Sequence, residues 1–240
     1  MKLFIICILT LLFSGNLLFA QALNVGVPHE ELLSRAEVDR IFNEQVKKQF
    51  SIDYNIFKVF KCEDKSGLFY IVFSEKYDGM NENNDTLHTK IRGFNFLSTP
   101  NGLVKQWEIN DFTIKQVVAG DMETSIWFWS KFSEFNDIDK DGLIDPIVIY
   151  GTAGLNMYDD GRLKILVYYK EKKIAIRHQN GVLDYERNTQ VDEAFYSLPL
   201  VIQSRVKAIM KKITDNHLAI FPAGWEKAMA NHKLKFDENH

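Results

Sequence analysis

The segment PIVIYGTAGLNMYDDGRLKILVYYKEKKIAIRHQNG, residues 146–181, decides the fold class of this chain of 240 residues. It contains three strand-like runs rich in β-branched and aromatic residues, at 146–150, 163–170 and 173–177. The turn-forming pairs Asp160-Gly161 and Asn180-Gly181 lie close to the ends of these runs. Because parallel strands need crossovers of about a dozen residues or more, runs spaced this closely predict antiparallel pairing.

The same pattern continues toward the amino terminus and changes near both ends of the chain. Further strand-like runs occur at 56–62, 68–75, 89–97, 103–109 and 125–132. Ser34 and Glu37 have the spacing of a capping box, which predicts an N-terminal helix. Apolar residues at helical spacing follow Pro199 and recur at 225–234. The sequence therefore predicts an α+β fold with a predominantly antiparallel β-sheet core, an N-terminal helix and C-terminal helices.

The first 22 residues have the pattern of a secretory signal peptide. Lys2 supplies a positive charge, an apolar run follows at 3–13, and Ala20 and Ala22 are small residues at the positions that a signal peptidase reads. The apolar run is about half of the ~20 residues that a membrane span needs. We therefore expect cleavage after Ala22, no transmembrane anchor, and export to the periplasm or the cell surface. Residues 23–240 are expected to form a single α+β domain with a calcium-loop hairpin.

Composition excludes several classes of protein. With 46% hydrophobic and 25% charged residues, the chain is an ordinary globular protein rather than a disordered, collagen-like or disulfide-rich one. A formal net charge of -3 gives no reason to expect nucleic acid as a partner. After removal of the signal peptide, Cys62 is the only cysteine, and its place in an apolar run predicts a buried, inert thiol.

The most informative motif is a loop of alternating acidic residues at 137–145. Its members match the oxygen-donating positions of a calcium loop: Asp137, Asp139, Asp141, the carbonyl of Leu143, and Asp145. Gly142 stands at the sixth position, where the chain must turn sharply. The alternative is an acidic surface turn that binds no ion, but carboxylates this crowded repel one another unless a cation neutralises them. The motif predicts a structural Ca²⁺ site.

The loop departs from an EF-hand at its end. Val148 occupies the twelfth position, where an EF-hand has a bidentate Glu, and a strand-like run replaces the exiting helix. The segment resembles the calcium loops between strands in the FG-GAP repeats of integrin-like propellers. That resemblance covers about a dozen residues and implies a calcium site at a β-turn without implying a propeller. Without the bidentate Glu, we expect a dissociation constant of about 10⁻⁴ to 10⁻³ M.

A second polar cluster spans residues 177–187 around an Asn-Gly turn. One interpretation is a ligand site, in which three residues bind an anionic group or a sugar: Arg177, Tyr185 and Arg187. In the same interpretation, three residues are catalytic candidates for proton transfer or for a carboxylate pair: His178, Asp184 and Glu186. The alternative is a solvated turn with ordinary ion pairs, which the absence of a motif of known geometry favours.

The aromatic stretch at 126–129 is apolar on both faces of a strand. That pattern predicts a central buried strand rather than a carbohydrate-stacking platform. The sequence has no nucleophile elbow, no zinc-protease motif and no phosphate-binding glycine loop. Binding is therefore favoured over catalysis.

The chain from about residue 55 to its end resembles a small family of secreted bacterial proteins that carry a surface polysaccharide biosynthesis label. The similar stretches are at 125–129, 139–146, 173–188 and 221–225. The resemblance implies a role near the cell surface and supplies no catalytic residues. We expect an exported, non-enzymatic calcium-binding protein of the bacterial cell envelope, linked to surface polysaccharide, with a glycan or another envelope component as partner. The alternative is a secreted carbohydrate-active hydrolase that uses the Arg177 to Arg187 region.

Overall fold

The computed structural model describes residues 28–114 and 122–238. The predicted signal peptide lies outside these residues. Within the described ranges, no helix has both the length and the apolar composition needed to cross a bilayer.

The first sheet is an antiparallel meander of five strands in the order β1-β2-β3-β4-β5. The strands are β1 (His29–Leu32), β2 (Asn55–Asp64), β3 (Gly67–Met80), β4 (Thr86–Thr99) and β5 (Gly102–Phe112). Sequence neighbours are neighbours in the sheet because short connections join β2 to β3, β3 to β4 and β4 to β5.

The second sheet has the order β12-β11-β10-β9-β8-β6, and β7 also pairs with β8. The strands are β6 (Ser125–Phe128), β7 (Glu134–Asn136), β8 (Asp145–Ala153), β9 (Arg162–Tyr169), β10 (Lys172–Gln179), β11 (Asn188–Val191) and β12 (Lys235–Asp237). All its strand pairs are antiparallel. Every residue of β8 is buried, because both faces of this central strand are covered.

Helices cover the outer faces of both sheets. They are α1 (Arg35–Ile41), α2 (Glu44–Phe50), α3 (Leu200–Asp215) and α4 (Trp225–Ala230), with short 3₁₀ helices at Tyr158–Asp160, Asp184–Glu186 and Glu193–Ser197. Ser34 caps α1, and its capping box with Glu37 is formed. The apolar stripe of α3, which includes Ile202, Val206 and Ile209, is buried.

Three apolar cores divide the molecule into four layers. One core lies between α1, α2 and the outer face of the first sheet, and includes Phe42 and Phe94. The middle core lies between the two sheets, where the Phe73 and Phe128 rings stack at 4.1 Å. The third joins the second sheet to α3 and α4. Side chains alternate between neighbouring cores along β3, β8 and β9, because successive residues of a strand point to opposite faces.

The β-rich, antiparallel architecture predicted from the sequence is confirmed. Cys62 is buried, as predicted, and its burial raises the pKa of the thiol. The aromatic stretch at 126–129 is largely buried, as predicted, but the prediction that it forms a central strand is wrong. Within the described residues β6 is an edge strand with β8 as its partner, and Trp127 is only half-buried. The apolar pattern reports which faces are covered but not the position of a strand in its sheet.

Candidate functional site

The acidic loop connects β7 to β8. Asn136 and Asp145 are directly paired across these strands, so the hairpin closes at the two ends of the loop. Lys140 and Gly142 have φ angles of 61° and 89°, which turn the chain back on itself. The strands thus hold both ends of a tight loop whose short acidic side chains converge on one space.

Three of the predicted ligands form a cluster. Asp137, Asp139 and Asp145 each place one carboxylate oxygen within 4.8 Å of the other two. Asp145 is 3% exposed, while Asp137 and Asp139 are half-buried. An all-oxygen set of this kind is what hard cations such as Ca²⁺ and Mg²⁺ bind. The cluster can hold a metal ion.

The carboxylates of the cluster lack a positive partner among the described residues, and one of their oxygens is buried without a hydrogen bond. The Oδ2 atom of Asp137 accepts a hydrogen bond from the Gly142 amide at 2.9 Å, but its Oδ1 is buried with no partner in the described chain. Burial raises the pKa of Asp145 to about 6, opposed by a hydrogen bond from the Ile138 amide and reinforced by Asp139 and Asp141. A divalent cation would supply the missing partner and favour the ionised carboxylates.

Asp141 lies outside this cluster of three. Its Oδ2 atom is 3.2 Å from the Nζ of Lys170, and its Oδ1 accepts a hydrogen bond from the Leu143 amide at 3.0 Å. Partial desolvation opposes these contacts, but the Leu143 amide and Lys170 together lower the pKa of Asp141. Its carboxylate is thus neutralised by a lysine rather than turned toward the other three. The Leu143 carbonyl as a ligand stays a prediction.

The loop also contacts the first sheet, at the turn between β2 and β3. The Lys65 amide donates to the Gly142 carbonyl at 3.1 Å, and the Ile144 amide donates to Asp64 Oδ2 at 2.8 Å. The Lys65 ammonium group donates to the Asp141 carbonyl at 2.6 Å. These partners are 76 to 80 positions apart in sequence, so the spacing of acidic residues gave no signal for them. The loop joins the two sheets at this edge.

The residue 177–187 region has a different character. His178 is 2% exposed, and its Nδ1 and Nε2 atoms pair with Thr189 Oγ1 at 2.9 Å and Asn180 Oδ1 at 2.8 Å. Burial lowers the pKa of this ring to about 4. The ring contacts Phe221 at 4.5 Å between centroids. His178 is therefore an internal side chain with both nitrogens engaged.

Of the other candidates in this region, Arg177, Asp184, Tyr185 and Glu186 are exposed, whereas the Arg187 side chain is only 13% exposed. Arg187 contacts Asp184 at 2.6 Å and the Gly181 carbonyl at 2.9 Å, whereas Arg177 contacts Asp192 at 2.6 Å. The Glu186 carboxylate accepts from the Leu183 amide, and Tyr185 is 70% exposed. The structure joins Arg187 to Asp184 but engages the His178 ring elsewhere. The hydrolase alternative stays a prediction, but the buried His178 ring is not accessible for proton transfer to a substrate.

The sequence did not indicate a buried network of ion pairs that the structure contains. Arg162 contacts Glu123 at 2.5 Å and Asp111 at 3.2 Å, and Lys164 contacts Asp111 at 2.6 Å. The Tyr150 hydroxyl donates to Asp111 at 2.9 Å. The negative charges of Asp111 and Glu123 are thus balanced by the positive charges of Arg162 and Lys164. A fully paired network of this kind is structural.

The sequence-based search also missed a cleft that we name the Trp127 cleft. Six of its lining residues are Glu75, Asp85, Thr86, His88, Trp127 and Tyr158, and its volume is about 340 Å³. Glu75 is buried, and its Oε2 lies 3.5 Å from His88 Nε2. Burial raises the pKa of Glu75, opposed by the Phe128 amide and His88. The sequence does show a charged residue, Glu75, at the end of the apolar run at 68–75. It could not show the partner of this glutamate, because His88 lies on the next strand.

Comparison with known proteins gives no family model that matches the chain, and no curated protein or solved structure that is significantly similar to it.

Proposed function

We propose that this chain is an exported, non-enzymatic protein of the bacterial cell envelope that binds one structural calcium ion in the 137–145 loop and acts in processes linked to surface polysaccharide. The export part of the proposal rests on the signal-peptide pattern, and the envelope part rests on the family resemblance of the sequence. The calcium part rests on geometry.

The observation that carries the calcium proposal is the convergence of Asp137, Asp139 and Asp145, with a buried Asp137 oxygen that has no partner in the described chain. Calcium is favoured over magnesium because it accepts irregular sets of carboxylate and carbonyl oxygens, whereas magnesium requires near-octahedral geometry and keeps several waters. The ion would hold the hairpin between β7 and β8 against the turn between β2 and β3. Its role is to stabilise this junction of the two sheets.

The test is thermal unfolding of residues 23–240 in chelator and then in about 10–100 mM Ca²⁺, which is about 100 times the expected dissociation constant. At about 100 times the dissociation constant, one native-state site adds about 2.7 kcal/mol, which raises the melting temperature of a chain this size by about 5–10 °C. Asp139→Asn keeps the shape of the side chain but removes the charge, so this variant should lose the calcium response. Asp159→Asn, at an exposed acidic residue outside the loop, serves as the matched control and should retain it.

A second variant tests the geometry from the opposite direction. Lys170 neutralises Asp141 at 3.2 Å and competes with a cation for that carboxylate. Lys170→Gln should therefore strengthen calcium binding, by up to about tenfold for one nearby exposed charge. Isothermal titration calorimetry measures the change. Calcium affinity that is equal in wild type, Asp139→Asn and Lys170→Gln would refute the assignment of the ion to this loop.

A further inference from the structure

The Trp127 cleft shares no residue with the 137–145 loop, and its walls have the composition of a ligand site. Trp127 and Tyr158 contact one another at 5.8 Å between ring centroids, in an edge-to-face arrangement. Both rings are half-buried, so part of each remains exposed to a ligand. Sites for small molecules are concave, mostly apolar or aromatic, and contain a few placed polar groups. At about 340 Å³, the cleft reaches the lower end of their usual size range.

A second cavity adjoins the first at the same tryptophan. Its volume is about 200 Å³, and Trp127, Phe128 and Tyr158 line both cavities. Trp129 lines the second cavity, and its indole N–H is buried without a hydrogen-bond partner in the described chain. The two cavities share these aromatic side chains, so a ligand that fills both must extend across them. A ligand of at least two linked rings has that extent, whereas a single small ion does not.

The polar groups of the Trp127 cleft determine the class of ligand. Among the described residues, the lining of the Trp127 cleft contains the carboxylates of Glu75 and Asp85 and no lysine or arginine, so the cleft disfavours an anionic ligand. The adjoining cavity has one basic lining residue, Lys131. The Thr86 and Tyr158 hydroxyls and the Trp127 indole N–H make no hydrogen bond within the described residues. The two hydroxyls can donate and accept and the indole N–H donates, whereas an ammonium ligand would need acceptors alone. Ring hydroxyls of a sugar satisfy such a mixed set, and the carbon face of a sugar ring packs on an aromatic side chain.

We propose that the Trp127 cleft and the adjoining cavity bind a neutral glycan segment of at least two sugar rings. The Trp127 side chain contacts the apolar face of a ring where the cavities meet, and Asp85 and Thr86 at the rim bind hydroxyl groups. The Glu75–His88 pair closes the inner end of the cleft. This inference names the partner in the proposed envelope role and rests on that part of the proposed function. It does not depend on calcium.

The experiment is binding of labelled residues 23–240 to an array of neutral, acidic and cationic glycans, followed by calorimetry with a soluble disaccharide that represents the retained class. Choline is titrated in parallel as an ammonium probe. We expect retention of neutral glycans, in chelator as well as in calcium. Retention of acidic or cationic glycans alone, binding of choline without any neutral glycan, or no retention at all would overturn the proposal.

Variants locate the site. Trp127→Ala should weaken binding by about tenfold or more, as expected for a buried aromatic contact. Thr86→Arg should have a similar effect because it fills the rim from an exposed position and is therefore compatible with folding. Leu200→Ala, at an exposed residue on α3, is the control and should bind as wild type does. Loss of binding in Tyr185→Ala, with Trp127→Ala and Thr86→Arg unaffected, would move the ligand to the residue 177–187 region and refute the cleft assignment. Failure of the calcium proposal is seen separately, in the melting experiment.

Discussion

His178 is a buried titratable residue, and both nitrogens of its ring are hydrogen-bonded inside the protein. Its two nitrogens pair with Thr189 and Asn180, and Phe221 covers the ring. A protonated ring would have to carry its charge in this enclosed space, which is why burial lowers the pKa to about 4. An unfolded histidine has a pKa of about 6.5. Protons therefore bind the unfolded state more strongly between these two values.

We predict that this residue makes the protein sensitive to acid. Because the unfolded state binds the extra proton as the pH falls from about 6.5 to about 4, the free energy of unfolding decreases across that range, by about 2–3 kcal/mol at its lower end. Above pH 7 the ring is neutral in both states and contributes no slope. His178→Gln should reduce the slope, although it also lowers stability at neutral pH because hydrogen bonds are lost.

Urea unfolding at a series of pH values measures this slope, and His29→Gln, at an exposed histidine, is the matched control. An unchanged slope in His178→Gln would contradict the prediction.

The acidic loop shows which contacts of single residues could be predicted from the sequence and which could not. Alternate spacing was enough to bring Asp137, Asp139 and Asp145 together, because local backbone geometry determines their convergence. It did not foresee that Asp141 pairs with Lys170, since that contact depends on how β9 lies beside the loop. The same limit applies to His178, where burial depends on chain far from the residue 177–187 turn.

At the scale of secondary-structure elements, two turns contain glycines with a positive φ angle. Gly142 has a φ of 89° in the loop between β7 and β8, and Gly102 has a φ of 110° at the start of β5. Both conformations are strained for a residue with a side chain. A Cβ at position 142 would also meet the Lys65 side chain, whereas nothing lies within 4 Å of a Cβ at position 102. The two glycines therefore form a matched pair.

We predict that Gly142→Ala and Gly102→Ala each lower the free energy of unfolding by about 1–2 kcal/mol, because each must adopt a positive φ. Gly142→Ala alone should also weaken the calcium-dependent rise in melting temperature, because the turn that collects the carboxylates is altered. Melting curves of both variants with and without Ca²⁺ make the comparison. Equal calcium responses in the two variants would show that the turn at Gly142 does not shape the ion site.

Strand position was the least predictable property at this scale. The continuous apolar run at 126–129 predicted that both faces of the strand are covered, but it could not show that β6 pairs with β8 alone within the described residues. The antiparallel order of the first sheet was easier to foresee because its connections are short. The Trp127 cleft depends on the edge position of β6 and was therefore missed.

At the scale of the whole molecule, ionic groups link the two sheets beside the middle core. Arg162 on β9 pairs with Asp111 on β5 and with Glu123, and it also donates to the Phe112 carbonyl. Removing the arginine leaves two buried carboxylates with less compensation. We predict that Arg162→Leu lowers the free energy of unfolding by about 3–5 kcal/mol.

Arg205 provides the contrast, because it forms a two-pronged pair with Glu134 at 2.6 Å while its side chain remains 49% exposed. Arg205→Leu should therefore cost about 1 kcal/mol or less. Urea unfolding gives both values. A loss in Arg162→Leu no greater than in Arg205→Leu would mean that the network contributes little to joining the sheets.

The middle core also determines whether the described chain unfolds as one unit. Each sheet contributes one face to this core and the opposite face to a helical layer, so loss of the middle core exposes both sheets together. Phe73 is fully buried there, stacked on Phe128, while Tyr77 on the same strand is 61% exposed. We predict that Phe73→Ala lowers the free energy of unfolding by about 3–5 kcal/mol, and that Tyr77→Ala changes it by about 0.5 kcal/mol or less.

In a single domain, tryptophan fluorescence and far-ultraviolet circular dichroism should follow one coincident transition in wild type and in Phe73→Ala. The fluorescence reports on both sheets, because Trp107 on β5 stacks at 4.0 Å on Tyr168 of β9, whereas Trp225 lies on α4. Two separated transitions, with Phe73→Ala shifting only one of them, would show that the α1–α2 side and the α3–α4 side unfold independently. Such a result would contradict the single domain expected for residues 23–240, because the shared faces of the middle core would then be too weak to couple the two sheets.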